Sequence, residues 1–534
     1  MSAQLALRPY QIGALDALST GWKDGGFLRQ AVVLPTGTGK TVVFSHLIDR
    51  EHRTGRRTLV LVHREELAEQ AAEKISAIAP GLTTGVVKAN RNETGADVVI
   101  GSVQTLARPS RREQIKDVDL VVVDECHHAA ARTWTDVLRH YGAWEYTRVA
   151  GFTATMARDD GKHLGDIWQK IAFDMDIRDA IMDGYLTDVE GKQITVDGLD
   201  LASVARSRGD FADGSLGDAL EASGAGDVVA KAYLEHAAGR PGVLFAPTVS
   251  SARAFADAFN AAGITTEVVV GTTTGDERAE IYGRYRKGAT QVLASVGVLT
   301  EGWDAPWCEV AVVARPTSSA PLYQQMVGRI LRRHPGKGAA LVLDVVGVSG
   351  RHKLRSLIDL STSPGVGEVL PGETLGGAIA RGEKERGSMP AGKIVGVLGA
   401  EAVDLFADSS SVWLQTYAGV WFVPVRDGVY FLWPERAGTW KVGRSSNRRG
   451  TGTWLHHGLD LGLAMALGED AAKQEDPSVS SKSSSWRTRR GDPSPAQLQV
   501  AARVGLTIPQ GSSKADVSNL LSTHFASRLL DPIR

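Results

Sequence analysis

Leu34-Pro35-Thr36-Gly37-Thr38-Gly39-Lys40-Thr41 is the stretch on which the fold turns. The apolar run 31–34 before it predicts a buried strand, and 42–48 after it predicts a helix. A glycine-rich turn between a strand and a helix start aims several backbone N–H groups at one point. The helix dipole adds positive potential there, so a phosphate chain is the natural occupant. Pro35, Thr36, Gly37, Thr38 and Gly39 are expected to form the cradle, Lys40 to reach the β- and γ-phosphates, and the Thr41 hydroxyl to hold a magnesium ion. The eight-residue pattern ordinarily begins with Gly, and Leu34 stands there instead. The Gly-Lys-Thr core and the strand–turn–helix setting are kept.

Around this stretch the totals describe a globular protein. A chain of 534 residues exceeds a single core and predicts about three or four domains. Hydrophobic residues make up 43% and charged residues 23%, and no apolar run approaches the ~20 residues that span a bilayer. The first residues lack the basic and apolar regions of a signal peptide, so a cytoplasmic location without membrane attachment is expected. Cys126 and Cys308 are too few for a four-ligand zinc site. The net charge of −1 does not advertise a polyanion partner, although binding depends on local patches and not on the sum.

Upstream, Leu7-Arg8-Pro9-Tyr10-Gln11 opens a helix, with Pro9 suited to its first turn and the Gln11 amide suited to an adenine edge. Downstream, apolar runs at 58–62 and 96–101 predict strands that end on His63-Arg64 and on Ser102-Val103-Gln104-Thr105. Ligands of open parallel α/β sheets bind at such strand ends. The run 118–123 ends on Asp124-Glu125-Cys126-His127, and acids directly after a buried strand are costly unless they serve an ion or a reaction. Asp124 is the candidate for the magnesium shell and Glu125 the candidate base for an attacking water. A further strand at 149–155 ends on the hydroxyls of Thr153 and Thr155.

Strand and helix signals then alternate through 242–246, 267–270, 291–296, 310–313 and 339–345, which predicts a second parallel α/β domain without a phosphate loop. It carries Gln325-Met326-Val327-Gly328-Arg329-Ile330-Leu331-Arg332, in which helical spacing would put Arg329 and Arg332 on one face. An Arg pair aimed at a γ-phosphate held by another domain is an arginine finger; a solvated basic face is the alternative. Thr300-Glu301-Gly302-Trp303-Asp304 follows a strand and is placed to couple the domains.

The ordered set of Gln11, 34–41, His63-Arg64, 102–105, 124–127, 153–155, 300–304 and 325–332 resembles the motifs of superfamily 2 helicases. Within them it is similar to the DEAD/DEAH-like branch of type III restriction helicase subunits, RadD-type repair helicases and phage-encoded relatives. The likeness covers roughly residues 5 to 355. It implies two tandem RecA-like domains with ATP between them, ATP and Mg²⁺ as cofactors, and nucleic acid across the top. By it, Lys40, Asp124, Glu125, Gln325, Arg329 and Arg332 are catalytic, Gly302 and Asp304 join the nucleotide site, and Thr41 and Asp124 hold the metal. Arg64, Gln104, Thr105, Thr155 and Thr300 fall at strand-contacting positions. Met156 stands where many relatives have Pro, and the Cys-rich zinc region of RadD-type relatives has no counterpart. The resemblance implies an ATP-dependent DNA helicase or translocase working in DNA repair or replication on single strands or duplex junctions. An ATP-gated DNA clamp without processive movement and an RNA helicase are the alternatives.

The expected division is 1–188 and 189–360 for the RecA-like domains, with a connector at 189–226, then a linker at 361–391. A small Trp-rich antiparallel β domain is expected at 392–470, with turns at Asp427-Gly428 and Ala437-Gly438 and with Lys441, Arg444, Arg448 and Arg449 beside its aromatics. These aromatics could stack bases or form the core. A flexible polar tether is expected at 471–492 and a C-terminal helical segment at 493–534, the latter a candidate contact for DNA or a partner protein.

Overall fold

The structure, a computed structural model, describes residues 7–63, 65–89, 91–129, 131–154, 167–207, 210–299, 303–347, 373–386, 409, 411–435, 439–446, 452–488 and 491–531. Two compact units emerge: Met1–Ser19, Ala31–Lys162 and Ala172–Pro390 form one, and Thr20–Gln30, His163–Ile171 and Ala391–Arg534 the other. The 20–30 and 163–171 segments thus group with the C-terminal third, a division that strand and helix patterning does not reveal.

The first sheet contains β1 (Arg29–Val33), β2 (Thr58–Val62), β3 (Thr84–Lys88), β4 (Arg91–Asn92), β5 (Val98–Ser102), β6 (Leu120–Asp124), β7 (Arg148–Thr153) and β8 (Lys170–Asp174). Their order is β4-β3-β5-β2-β6-β7-β1-β8. Strands β3, β5, β2, β6 and β7 pair in parallel, and β4 returns antiparallel on β3. Every residue of Thr58–Val62 and Val98–Ser102 is buried, as expected when helices cover both faces of a parallel sheet. The motif residues follow the C-terminal ends of these strands.

The second sheet contains β9 (Val189–Val196), β12 (Gly242–Phe245), β13 (Thr266–Val269), β14 (Val292–Ser295), β15 (Val310–Val313) and β16 (Ala340–Gly347), with β10 (Arg206–Ser207) and β11 (Asp210–Phe211) forming a separate hairpin. Its order is β13-β14-β12-β15-β16-β9, parallel throughout. These are two RecA-like sheets. The stretch expected as a connector is integral to the second one: β9 is its edge strand. Leu216, Leu220, Val229 and Tyr233, from helices Asp213–Ala222 and Ala225–Ala237, lie in its core.

The expected linker at 361–391 also contains structure, the helix Leu375–Arg386, which buries Leu375, Ala378 and Ile379 and whose Gly376 N–H donates to Asp188 at 2.9 Å. In the second unit, β17 (Leu414–Gln415), β18 (Trp421–Val425), β19 (Gly428–Pro434), β20 (Trp440–Ser446) and β21 (Gly452–Leu459) make an antiparallel meander. Val425 pairs with Gly428, so the two-residue turn is Arg426-Asp427, one position ahead of the expected Asp427-Gly428. The turn expected at Ala437-Gly438 lies outside the described residues. Phe422 and Phe431 pack with Ala526 and Leu530 of the C-terminal helix Lys514–Leu530. The expected tether instead continues helix Leu461–Glu475 and adds the turns Pro477–Ser480 and Ser485–Thr488, with Arg487 bonded to Asn519 at 2.8 Å. Among the described residues no helix is long and apolar enough to cross a membrane.

Candidate nucleotide site

Helix Lys40–His52 begins at Gly39, whose φ of 87° and lack of a side chain leave its first N–H groups without a side-chain cap. Uncapped N–H groups at a helix start form an anion site. Gly37 also has positive φ, at 94°, whereas Leu34 does not, so a side chain is tolerated at the first loop position. Leu34 is fully buried and its N–H donates to Thr153 O at 2.9 Å, continuing the sheet.

The loop is braced from below. Tyr10 Oη and Gln11 Nε2 both donate to Thr38 O, at 2.5 and 3.1 Å, and Gln11 Oε1 accepts from Arg8 N at 2.9 Å. Gln11 therefore ties the loop backbone, through its amide nitrogen, to the start of its own helix, through its amide oxygen. The Tyr10 ring meets Tyr185 edge-on at 4.6 Å. Spacing marks neither tyrosine.

Lys40 Nζ lies 3.4 Å from Leu34 O and 3.9 Å from Glu125 Oε1, contacts long enough to yield to a phosphate. Glu125 adopts a left-handed backbone, φ 48° and ψ 54°, a strained state for a non-glycine residue of the kind stored at functional sites. Its Oε2 is buried without a hydrogen-bond partner, 3.5 Å from His127 Nδ1, which in turn bonds Thr153 Oγ1 at 2.9 Å. Thr153 thereby links the acid to the strand beside the loop. Cys126 is fully buried, and burial pushes its thiol well up, which fits packing and not nucleophilic chemistry.

The Arg pair requires one correction. Helix Ala320–Val327 ends before it, with Gly328 as C-cap, so Arg329 and Arg332 do not share a helix face. They converge all the same: each donates from Nη1 to Trp303 O, at 3.1 and 3.0 Å, and Arg332 also pairs with Asp304 at 2.5 Å. Asp304, expected at the nucleotide, is held by Arg332. The Arg332 loop also touches the phosphate loop. A Cβ on Gly328 would come within 2.5 Å of Thr36 Cβ, and one on Gly37 within 3.0 Å of Arg332 Cγ. Leu186 and Arg332 form an antiparallel bridge beside this contact. Gln325 is half-buried on the preceding helix.

At the expected nucleic-acid positions, Gln104 is exposed past β5, while Thr105 is 8% exposed and its hydroxyl lies 3.0 Å from Ser102 Oγ. Ser102 caps the short helix Val103–Leu106, and Thr105 lies inside it under that cap. Arg64, Thr155, Thr300 and Gly302 lie outside the described residues, as do Arg448 and Arg449. Among the basic residues near the tryptophans, Lys441 pairs with Glu435 at 3.1 Å and Arg444 with Glu475, so both charges are already matched.

A phosphate loop on one parallel α/β sheet, abutted by an Arg pair from a second, defines a tandem RecA-like core. Residues 4–158 match the family described as type III restriction enzyme, res subunit, and 226–334 match the helicase conserved C-terminal domain. These two regions are those of a superfamily 2 helicase core. It is 32% identical over 358 residues to the Saccharomyces cerevisiae protein named as ATP-dependent helicase IRC3, covering 64% of this chain and 52% of that one. It is 27% identical over 357 residues to DNA 3'-5' helicase XPB of Kineococcus radiotolerans, covering 64% and 60%. The chain therefore spans little more than half the length of these relatives. The fold is shared with the ATP-dependent Type ISP restriction-modification enzyme LlaBIII bound to DNA, at TM-score 0.50 and 16% identity over 65% of this chain and 28% of that one.

Proposed function

We propose that this protein is an ATP-dependent DNA helicase or translocase. The contact of Gly37 with Arg332 is the observation that supports the reading, because it sets the phosphate cradle against the segment that carries the second sheet's arginines. The uncapped helix start, the loosely held Lys40 and the buried, unpartnered Glu125 Oε2 fit a nucleoside triphosphate. Thr41 and Asp124 would hold Mg²⁺, which supplies charge neutralisation on the phosphate oxygens.

Lys40 binds the transferred phosphoryl group, and Glu125 takes a proton from the attacking water as the bond from γ-phosphorus to the ADP oxygen breaks. Arg329 and Arg332 stabilise charge on that phosphoryl group, for which Arg332 exchanges Asp304 for phosphate. Their presence on the second sheet ties hydrolysis to the relative position of the two sheets, and so to the grip on a strand near Gln104. The match to a restriction-enzyme family and the likeness to a protein named as a DNA helicase favour DNA over RNA.

Lys40→Ala should lose ATP turnover, and normal hydrolysis by that variant would remove the loop from the mechanism. ATPase stimulation by DNA should exceed that by RNA of the same length. Strand displacement on forked, tailed and branched duplexes then separates a motor from a clamp: stimulation without displacement or translocation would favour the clamp.

A further inference from the structure

The turn Pro335-Gly336-Lys337-Gly338 carries no recognised motif, yet it delivers a cation into the backbone behind the Arg pair. Gly336 has φ 81° and Lys337 N donates to His334 O at 3.1 Å, which folds the lysine side chain back toward the loop it follows. Lys337 Nζ lies within hydrogen-bond distance of four backbone carbonyls: Pro306 at 3.0 Å, Cys308 at 2.6 Å, Ile330 at 2.5 Å and Arg332 at 2.9 Å. An ammonium has three protons, so four carbonyls saturate it and replace its water shell. Burial pushes Lys337 down to about 8, with Arg240 and Arg332 acting in the same direction and Cys308 and Glu309 opposing. At neutral pH it is therefore still mainly charged.

The identity of the four carbonyls matters. Those of Ile330 and Arg332 belong to the loop from which the Arg side chains extend. Those of Pro306 and Cys308 belong to the segment just after Trp303 and Asp304, which receive the guanidinium groups. One ammonium thus joins the backbone that carries the Arg pair to the backbone that aims it.

We propose that Lys337 is a positioning residue for Arg332, acting on hydrolysis through that guanidinium without touching the nucleotide. This rests on the reading that the pair stabilises the transferred phosphoryl group. A misplacement of about 1 Å can cost about 100-fold in rate, so removing the tie should lower kcat and leave ATP binding by the phosphate loop intact.

The test uses ATP hydrolysis by the full chain, with Lys337→Met, Arg332→Ala and the double variant compared at saturating ATP. The expected result for Lys337→Met is a kcat at least about 10-fold lower with KM for ATP changed less than about 3-fold. Arg332→Ala and the double variant should match within about 3-fold, because Lys337 has little left to position once Arg332 is gone. A Lys337→Met kcat within about 2-fold of the parent, or losses that multiply in the double variant, would overturn the proposal. If Arg332→Ala alone hydrolyses ATP normally, the Arg reading itself fails, which is a separate and visible outcome. Should Lys337→Met not fold, as judged by circular dichroism and gel filtration, Lys337→Gln keeps two donors and is held to the same criteria.

Discussion

A Cβ atom on Gly37 would lie 3.0 Å from Cγ of Arg332, 3.3 Å from Leu186 Cδ2 and 3.5 Å from Gly328 O. The phosphate loop is thus packed against the segment that carries the second sheet's arginines. Gly37→Ala meets two obstacles there, the crowded contact and a φ of 94° that a side chain resists. The expected outcome is a loss of about 1–2 kcal/mol in stability, read from denaturant unfolding, and a fall of about 10-fold or more in ATPase kcat. A variant with parental stability and turnover would mean that this close approach has no role.

Glu125→Gln tests the acid separately from the fold. The amide keeps the size of the side chain near Lys40 and His127 but cannot take a proton from water. ATP binding, measured with a fluorescent analogue, should stay within about 3-fold, while kcat falls about 100-fold or more. Equal loss of binding and turnover would move Glu125 from chemistry to structure.

Most strands of both sheets are legible in the sequence because a parallel sheet buries both faces, which leaves unbroken apolar runs such as Thr58–Val62 and Val310–Val313. β9 is not, because Glu190, Lys192 and Gln193 interrupt its apolar residues at the sheet edge. The phosphate loop and Asp124-Glu125 are legible from local chemistry. The conformation of the Arg pair is hidden, since helical spacing does not register that Gly328 ends the helix where its bare backbone meets Thr36. Tyr10, Tyr185 and Lys337 act through contacts between distant segments, and nothing in their immediate neighbours announces that.

Gln104 and Thr105 are adjacent but should behave differently. Gln104 is exposed past the end of β5, so Gln104→Ala should weaken binding of a single-stranded oligonucleotide by about 2- to 10-fold without a change in Tm. Thr105 is buried against Ser102, so Thr105→Val should instead cost about 1 kcal/mol of stability. Fluorescence anisotropy and thermal unfolding on both variants check the contrast, and the reverse pattern would exchange their roles.

Asp344 provides a test by pH of the second sheet. It is 7% exposed in β16, accepts from Tyr323 Oη at 2.8 Å, and has a buried Oδ1 without a hydrogen-bond partner. Burial pushes its carboxyl up from 3.8 to about 7, against the Tyr323 hydrogen bond, which pulls it down. The folded state therefore binds the proton more tightly than the unfolded state. The associated stability is fully present below about pH 4 and is lost as pH rises toward 7. An amide in place of this carboxyl cannot ionise, so Asp344→Asn should gain stability relative to the parent between about pH 5 and about pH 8, by up to about 4 kcal/mol. Tyr323 is on helix Ala320–Val327, two positions before Gln325, so the same substitution should also flatten any neutral-pH change in the helix that leads to Arg329. Paired thermal unfolding curves across this range decide the matter: a Tm difference that does not vary with pH would show that Asp344 is not the group that titrates.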